Sequence, residues 1–389
     1  MPASRYAGLA ILVLLASWPG FLVDVCRIGN DVLALTLGSA CMLSSFGVLR
    51  QGSKLRDWSL AGVILGATLL AKSYMLAIVP LLPLLVVIET RRSRSRLLSS
   101  CKGLLIAVSF AVLIAGWWYL KTYRATGTLS GEQLDAASAQ FGLMAKLAAL
   151  HKIKWLRVLD SIATTHIWTG GWSFLGVRSW MYRIFECAAI IAGVGLIALA
   201  AQRFQKFLHG TSVCWSGRLL LCVWVYSFFC AGLAYFAVDV YLSAGISTAL
   251  GWYLYAVFGI EGVLLASGFA GLFGTRRAAG CIAVIAALAC AFDLYTMNFV
   301  SAPYYAGLTA HSHSGNLTAF DPLLKLRGAG LRDAFARLAI NKPFSPLVLV
   351  ILWVGYLCAT CGLLAYSVVT INRVFYPDRK VRRNHSHAV

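Results

Sequence analysis

Long apolar runs separated by short polar segments are the feature of this 389-residue sequence that most restricts its fold. Hydrophobic residues make up 60% of the chain and charged residues only 12%, whereas soluble domains carry about 25% charged residues. Uninterrupted runs indicate membrane helices rather than the alternating strands of a barrel. The sequence therefore predicts an all-α, polytopic transmembrane helical bundle of about ten spans, at residues 6–23, 31–49, 58–71, 74–90, 103–119, 184–201, 219–238, 253–273, 281–299 and 347–371.

The distribution of basic residues predicts the orientation of these spans. The chain has a net charge of +20, from 34 Lys and Arg against 14 Asp and Glu. With both termini cytoplasmic, 19 of the 34 basic residues fall in short inner segments, as the positive-inside rule requires. A turn at Lys72 and Ser73 within the run 58–90 keeps the basic clusters on either side of it on the cytoplasmic face. The positive charge thus indicates topology, and nucleic acid is not an expected partner.

Two long outer segments, about 120–183 and 300–346, carry amphipathic patterns. The first predicts helices that lie in the membrane interface, and the second predicts another that starts at Asp321-Pro322. No internal repeat or linker divides residues 1–389, so we expect one membrane domain with a cytoplasmic tail at about 372–389. The apolar positions at helical spacing in the first segment are Phe141, Met144, Leu147, Leu150, Trp155, Leu156, Leu159 and Ile162.

Acidic residues are scarce, and the predicted topology places eight of them on the outer side: Asp24, Asp31, Glu132, Asp135, Asp160, Asp239, Asp321 and Asp333. Asp31 opens a helix, where a carboxylate is stabilised by the helix dipole, or it faces an outer catalytic cavity beside Arg27. Lys72 either extends its ammonium to the membrane surface or binds the phosphate of a lipid-linked substrate.

Other polar residues have weaker functional patterns. Glu261 and Asp293 fall within predicted spans, where ionisable groups suggest function, although neither has an obvious partner in the sequence. His311 and His313 are two residues apart, which fits a solvated loop better than a metal site. Asn316 begins an Asn-Leu-Thr pattern for N-glycosylation on an outer loop.

Several short motifs, taken in order, resemble those of the C-type integral-membrane glycosyltransferases, which include protein O-mannosyltransferases and the aminoarabinose transferases of lipid A. Residues 27–35, Arg-Ile-Gly-Asn-Asp-Val-Leu-Ala-Leu, resemble the family's R-x-x-x-D helix start. Residues 65–74 resemble its G-x-A-x-x-x-K hairpin, and Gly116-Trp117-Trp118 resembles the segment after the next helix. Later landmarks similar to those of bacterial relatives begin at Trp172 and Gly251, so the resemblance spans roughly residues 20–270.

The resemblance implies inverting transfer of a sugar from a polyprenyl-phosphate donor to an acceptor at the extracytoplasmic face of a bacterial inner membrane. Asp31 would line the active site as a catalytic carboxylate, and Lys72 would hold the donor phosphate with Arg27 nearby. Membrane lipid and the lipid-linked sugar are the expected partners, and the acceptor stays unspecified. No cofactor is specified, and a divalent metal stays open.

One departure from the family pattern affects the expected activity. The family's principal catalytic aspartate lies in a long first outer loop, whereas the corresponding loop spans only about residues 24–30. The chain is thus expected to be a shortened member, to depend on a partner for the missing part, or to be inactive. Asp24 is the residue in this loop that is able to substitute.

Two other functions compete with glycosyl transfer. A transporter or lipid flippase would also be polytopic, but transporter folds are commonly built from inverted repeats. The long outer segments and the absence of a repeat favour chemistry on lipid substrates at the membrane surface. A non-catalytic protein of envelope assembly is the third alternative, and it is favoured if the principal aspartate is truly missing.

Overall fold

A computed structural model describes most of the chain and is helical. The described residues are 2–26, 29–50, 54–92, 94–170, 173–209, 216–309, 329–340 and 342–376. All regular secondary structure in these ranges is α-, 3-10 or π-helical, which confirms the all-α prediction. The α-helices are α1 (Pro2–Ser17), α2 (Pro19–Val25), α3 (Asn30–Val48), α4 (Leu55–Ala71), α5 (Leu81–Arg92), α6 (Leu97–Ala111), α7 (Trp117–Thr126), α8 (Gln133–Ser138), α9 (Leu143–Lys152), α10 (Trp155–Ile167), α11 (Ser179–Leu208), α12 (Gly217–Ala244), α13 (Phe258–Tyr295), α14 (Ala302–Tyr305), α15 (Ala329–Ala339) and α16 (Pro346–Phe375).

Seven helical segments in the described part of the chain are long and apolar enough to cross a membrane. The count rises to eight if the bent pair Ala7–Ser17 and Pro19–Val25 forms one span. It is smaller than ten because α4 has only 17 residues, and because the runs 253–273 and 281–299 belong to one segment, Gly251–Tyr305. The seven segments are Asn30–Val48, Ser73–Arg91, Arg94–Thr126, Ser179–Gln205, Gly217–Ala244, Gly251–Tyr305 and Pro346–Phe375.

The described residues form two compact units. The first, called the central unit below, comprises Asp24–His166 and Lys206–Leu264; the second, the flanking unit, comprises Met1–Val23, Ile167–Gln205 and Leu265–Val389. A single membrane domain over residues 1–389 stays a prediction.

Small residues bring α4 and α6 together in the central unit. A Cβ atom at Gly62 would lie 2.3 Å from the carbonyl oxygen of Ala107, and one at Gly103 would lie 2.6 Å from the ring of Trp58. Gly66 meets the backbone of Ala111 in the same way. Since lipid supplies no hydrophobic force between membrane helices, close backbone contact of this kind is a main source of their association.

Helices α9 and α10 pack against α12 in the central unit. Ala149, Ile153 and Val158 form a buried cluster with Ala237 and Val238. The opposite apolar face is exposed, with its largest open side chains at Leu143, Met144, Leu147, Leu156 and Leu159. The helical prediction for this segment is confirmed, with a break near Ile153 between the two helices.

The flanking unit also depends on close glycine contacts. A Cβ atom at Gly195 on α11 would lie 1.9 Å from the carbonyl oxygen of Gly268 on α13. Further along α13, Gly274 has φ +81°, a left-handed conformation that interrupts the helix and produces a kink. Helix α15 contacts α16 through Phe335 and Trp353, whereas its predicted start at Asp321-Pro322 lies outside the described residues.

We predict that Gly62→Val separates α4 from α6 and lowers the stability of the chain by about 1–3 kcal/mol, because the new side chain overlaps backbone atoms. Thermal unfolding of the purified protein in detergent measures the effect. Gly47→Val is the matched control, since a Cβ there meets no atom within 4 Å. Equal unfolding temperatures for the two variants would contradict the predicted contact.

Candidate functional site

Asp31 and Lys72, far apart in sequence, meet in an ion pair. The Lys72 Nζ lies 3.2 Å from Asp31 Oδ1, and the two side chains are 29% and 37% exposed, respectively. A partly exposed pair of this kind contributes little to stability, typically about 0–1 kcal/mol. Both groups are therefore accessible to a ligand at small energetic cost.

Local backbone structure positions this pair. Asp31 lies in the first turn of α3, as predicted, and Lys72 follows the last residue of α4 in an extended conformation, with φ −157° and ψ 139°. The side-chain amide of Asn30 donates a hydrogen bond to the carbonyl oxygen of Ala71 at 3.1 Å, which ties the start of α3 to the end of α4. The Tyr74 hydroxyl donates to Asp31 Oδ1 at 3.4 Å.

The other two predicted site residues are less well defined. Asp24 is buried in α2, with 8% of its surface exposed, and is close enough to Tyr74 for its charge to act on the hydroxyl. It belongs to a helix rather than to the predicted loop 24–30. Arg27 lies outside the described residues.

A cavity of about 630 Å³ lies beside the ion pair in the central unit. Ser73 and Tyr74, which directly follow Lys72, form part of its wall, although Asp31 and Lys72 themselves do not. The cavity combines apolar and aromatic surface with four carboxylate or ammonium side chains, Glu132, Asp135, Lys146 and Asp239. A concave, mostly apolar site with a few convergent polar groups is typical of small-molecule sites.

Lys146 and Asp239 form a hydrogen-bonded pair at the cavity wall. The Lys146 Nζ lies 3.3 Å from Asp239 Oδ1 and donates to the Tyr235 hydroxyl at 3.0 Å. The Ser138 hydroxyl donates to the same carboxylate oxygen at 2.6 Å. These bonds compensate for the burial of Asp239, which is only 2% exposed.

The other two carboxylates of the cavity differ in how fully they are bonded. Both oxygens of Asp135 accept hydrogen bonds, from Tyr235 at 2.8 Å and from Ser130. Glu132 Oε1 accepts a long bond of 3.3 Å from Ser73, and its Oε2 has no hydrogen-bond donor among the described residues. Glu132 is thus the carboxylate with acceptor capacity left for a ligand.

Burial and neighbouring charges shift the pKa values of two groups at this site. Burial raises the pKa of Glu132 above its ordinary value, with a smaller opposing effect of the Ser73 hydrogen bond. Partial burial works against the charged form of Lys146, but its bonds to Tyr235 and Asp239 outweigh this and raise its pKa. Lys146 therefore stays cationic at neutral pH.

Two predicted intramembrane acids have partners that the sequence did not reveal. In the central unit Glu261 lies 3.0 Å from the Nε2 atom of buried His166, whose Nδ1 lies 3.2 Å from the carbonyl oxygen of Gly251. In the flanking unit the Tyr356 hydroxyl donates to Asp293 at 2.7 Å. In each pair the partner offsets the cost of burying the carboxyl group, so neither acid requires a functional role.

Among the described residues, no three His, Cys, Asp or Glu side chains lie close enough together to hold a metal ion. His311, His313 and Asn316 lie outside those ranges.

The sequence pointed to Asp31 and Lys72 but did not single out the cavity residues. Glu132, Asp135 and Asp239 stand out in the sequence only as scarce outer-side acids, and Lys146 only falls between the apolar positions of the first outer segment. Asp135 and Asp239 are 104 positions apart and are linked through Tyr235 and Lys146, so no local spacing identifies them. The shared outer-side placement was the one available signal.

Comparisons with known proteins identify no family for this chain: no family, curated protein or solved structure matches it.

We predict that Glu132→Gln stabilises the protein at neutral pH. The folded-state pKa of Glu132 is raised, so ionisation costs stability as the pH rises from the ordinary value near 4.5 through the folded value. The isosteric amide removes that cost, and the difference from wild type vanishes at pH values below the ordinary one. Thermal unfolding at pH 4 and pH 7.5 checks this; Asp333→Asn, at an exposed position, should show no such pH-dependent gain.

Proposed function

We propose that this protein is a membrane glycosyltransferase that transfers a sugar from a polyprenyl-phosphate donor to an acceptor at the extracytoplasmic face. The observation that carries the proposal is the Lys72–Asp31 ion pair beside the cavity. It joins, across 41 positions, two of the motifs that carry the resemblance to C-type glycosyltransferases. The chain offers a cation for a phosphate leaving group and carboxylates for an acceptor hydroxyl at one place.

The proposed chemistry assigns a role to each group. The acceptor oxygen attacks the anomeric carbon, the bond from that carbon to the phosphate oxygen breaks, and polyprenyl phosphate leaves with the electron pair. Lys72 compensates the charge of the leaving phosphate, with Arg27 as a second cation. Asp31, or Asp24, accepts the acceptor's proton.

Inversion adds a geometric requirement. The base and the leaving group then act on opposite faces of the sugar ring. Because Lys72 and Asp31 are in direct contact at 3.2 Å, a bound donor has to separate them. The partial exposure of both side chains makes this separation inexpensive.

The proposed membrane arrangement keeps ten spans in a bacterial inner membrane, with both termini cytoplasmic. In this arrangement α4 is a short span, and the kink at Gly274 divides α13 into two spans. Arg276 and Arg277 then lie on the cytoplasmic face, and the exposed leucines of α9 and α10 rest in the outer interface.

We predict that Lys72→Ala and Asp31→Asn each lower sugar transfer by roughly 10²–10³-fold. The assay uses the full chain in proteoliposomes with radiolabelled polyprenyl-phosphate hexose and pentose donors. Because the two residues act as a pair, the double variant should lose much less than the product of the single losses. Lys102→Ala, an exposed lysine on α6, is the matched control.

Unchanged transfer in both single variants would remove the pair from the site. Movement of the lipid-linked sugar across the bilayer without transfer to any acceptor would instead favour the flippase alternative.

We also predict the sidedness of the kink. A cysteine introduced at Thr275, beside Arg276, should react with a membrane-impermeant thiol reagent only from the cytoplasmic side in a background without native cysteines. A cysteine at Gln140 should react only from the outer side. Reaction of both from the same side would contradict the ten-span arrangement.

A further inference from the structure

The cavity of the central unit has a negatively charged lining, which restricts its ligand. Within the described lining, three side chains are carboxylates and one, Lys146, is an ammonium group. Lys146 is matched by Asp239 at 3.3 Å, so Glu132 and Asp135 are left without a cation at hydrogen-bond distance. Lys72, whose charge also acts on Glu132, is itself paired with Asp31. A phosphate would therefore be repelled from this cavity.

Aromatic rings line the same cavity as Glu132 and Asp135, the two carboxylates without a cation partner. The ring centroids of Tyr74 and Tyr253 are 5.1 Å apart, and those of Tyr253 and Phe236 are 5.7 Å apart. All three rings belong to the cavity wall, and the charge of Glu132 acts on the Tyr253 hydroxyl. Carboxylates beside electron-rich ring faces are the surroundings in which proteins bind ammonium groups.

The remaining lining is apolar. Leu76 and Ala77 form part of the wall, and Phe228, Phe229 and Leu233 on α12 add to it. This surface offers no hydrogen bonds and suits an alkyl chain, which loses water on entering. The polar and apolar parts of the cavity thus match the two ends of an amphiphile.

We propose that the cavity binds a cationic amphiphile, with its ammonium group against Glu132, Asp135 and the Tyr74–Tyr253–Phe236 rings and its alkyl chain along the apolar wall. If the proposed function holds, the cavity is the acceptor site and the acceptor is an amine-bearing lipid; this part of the proposal rests on the proposed function. The donor phosphate stays outside, at Lys72. Binding of the amphiphile itself does not depend on catalysis.

Titration calorimetry with decyltrimethylammonium tests the proposal on the full chain in uncharged polyoxyethylene-ether micelles, with protein-free micelles as the blank. We expect saturable binding of the ammonium probe and no binding of decyl phosphate. Glu132→Gln should weaken binding roughly tenfold, because it removes a charged partner while Gln keeps an acceptor for Ser73. Asp333→Asn, which removes a carboxylate outside the cavity lining, should leave the affinity unchanged.

Acidification gives a second readout. Protonation of Glu132 removes its attraction for the probe, so wild-type affinity should fall as the pH drops through the raised pKa of this group. Glu132→Gln should lack that part of the pH dependence.

Three outcomes would overturn the proposal: equal affinity in Glu132→Gln, tighter binding of decyl phosphate, or equally tight binding of decyl maltoside, which would indicate a polyhydroxyl site. No sugar donor is present in this experiment, so its failure leaves the Lys72 transfer assay intact. Failure of the transfer assay likewise leaves the binding result intact.

Discussion

The hydrogen-bonding requirement of a backbone in lipid is the constraint on which the rest of this structure depends. Because of this requirement, long apolar runs form helices. Irregular backbone is confined to places where other groups bond its free N–H and C=O groups. The break after α4 is one such place, because Asn30 bonds the carbonyl oxygen of Ala71. That break exposes Lys72 and turns Ser73 and Tyr74 towards the cavity. The candidate site thus lies where α4 ends.

Close backbone contact is the second organising feature, and it acts within each unit separately. In the central unit Gly62 and Gly103 allow α4 and α6 to approach, and in the flanking unit Gly195 and Gly268 do the same for α11 and α13. Such contacts hold helices by dispersion and geometry rather than by water exclusion. They leave much large apolar surface facing outwards, as expected for a protein whose solvent is lipid.

The sequence predicted the helices well because apolar periodicity is a local signal. It also placed Asp31 at a helix start and Lys72 at a chain break, since both depend on neighbouring residues. The span count differs because α4 has only 17 residues and because the runs 253–273 and 281–299 count as one apolar segment despite the kink at Gly274. The cavity could not be predicted from the sequence. Glu132 and Asp239 come together through the packing of α8 and α9 against α12, and no spacing along the chain encodes that packing.

The short 3-10 turn Ser73–Ile78 has a consequence for communication between ligands. Its first residue follows Lys72 directly, and its side chains reach both Asp31, through Tyr74, and Glu132, through Ser73. A displacement of this turn by an occupant of the cavity would therefore also move the surroundings of the ion pair. Two ligands whose binding displaces the same turn are thermodynamically linked, so each alters the affinity for the other by the same factor.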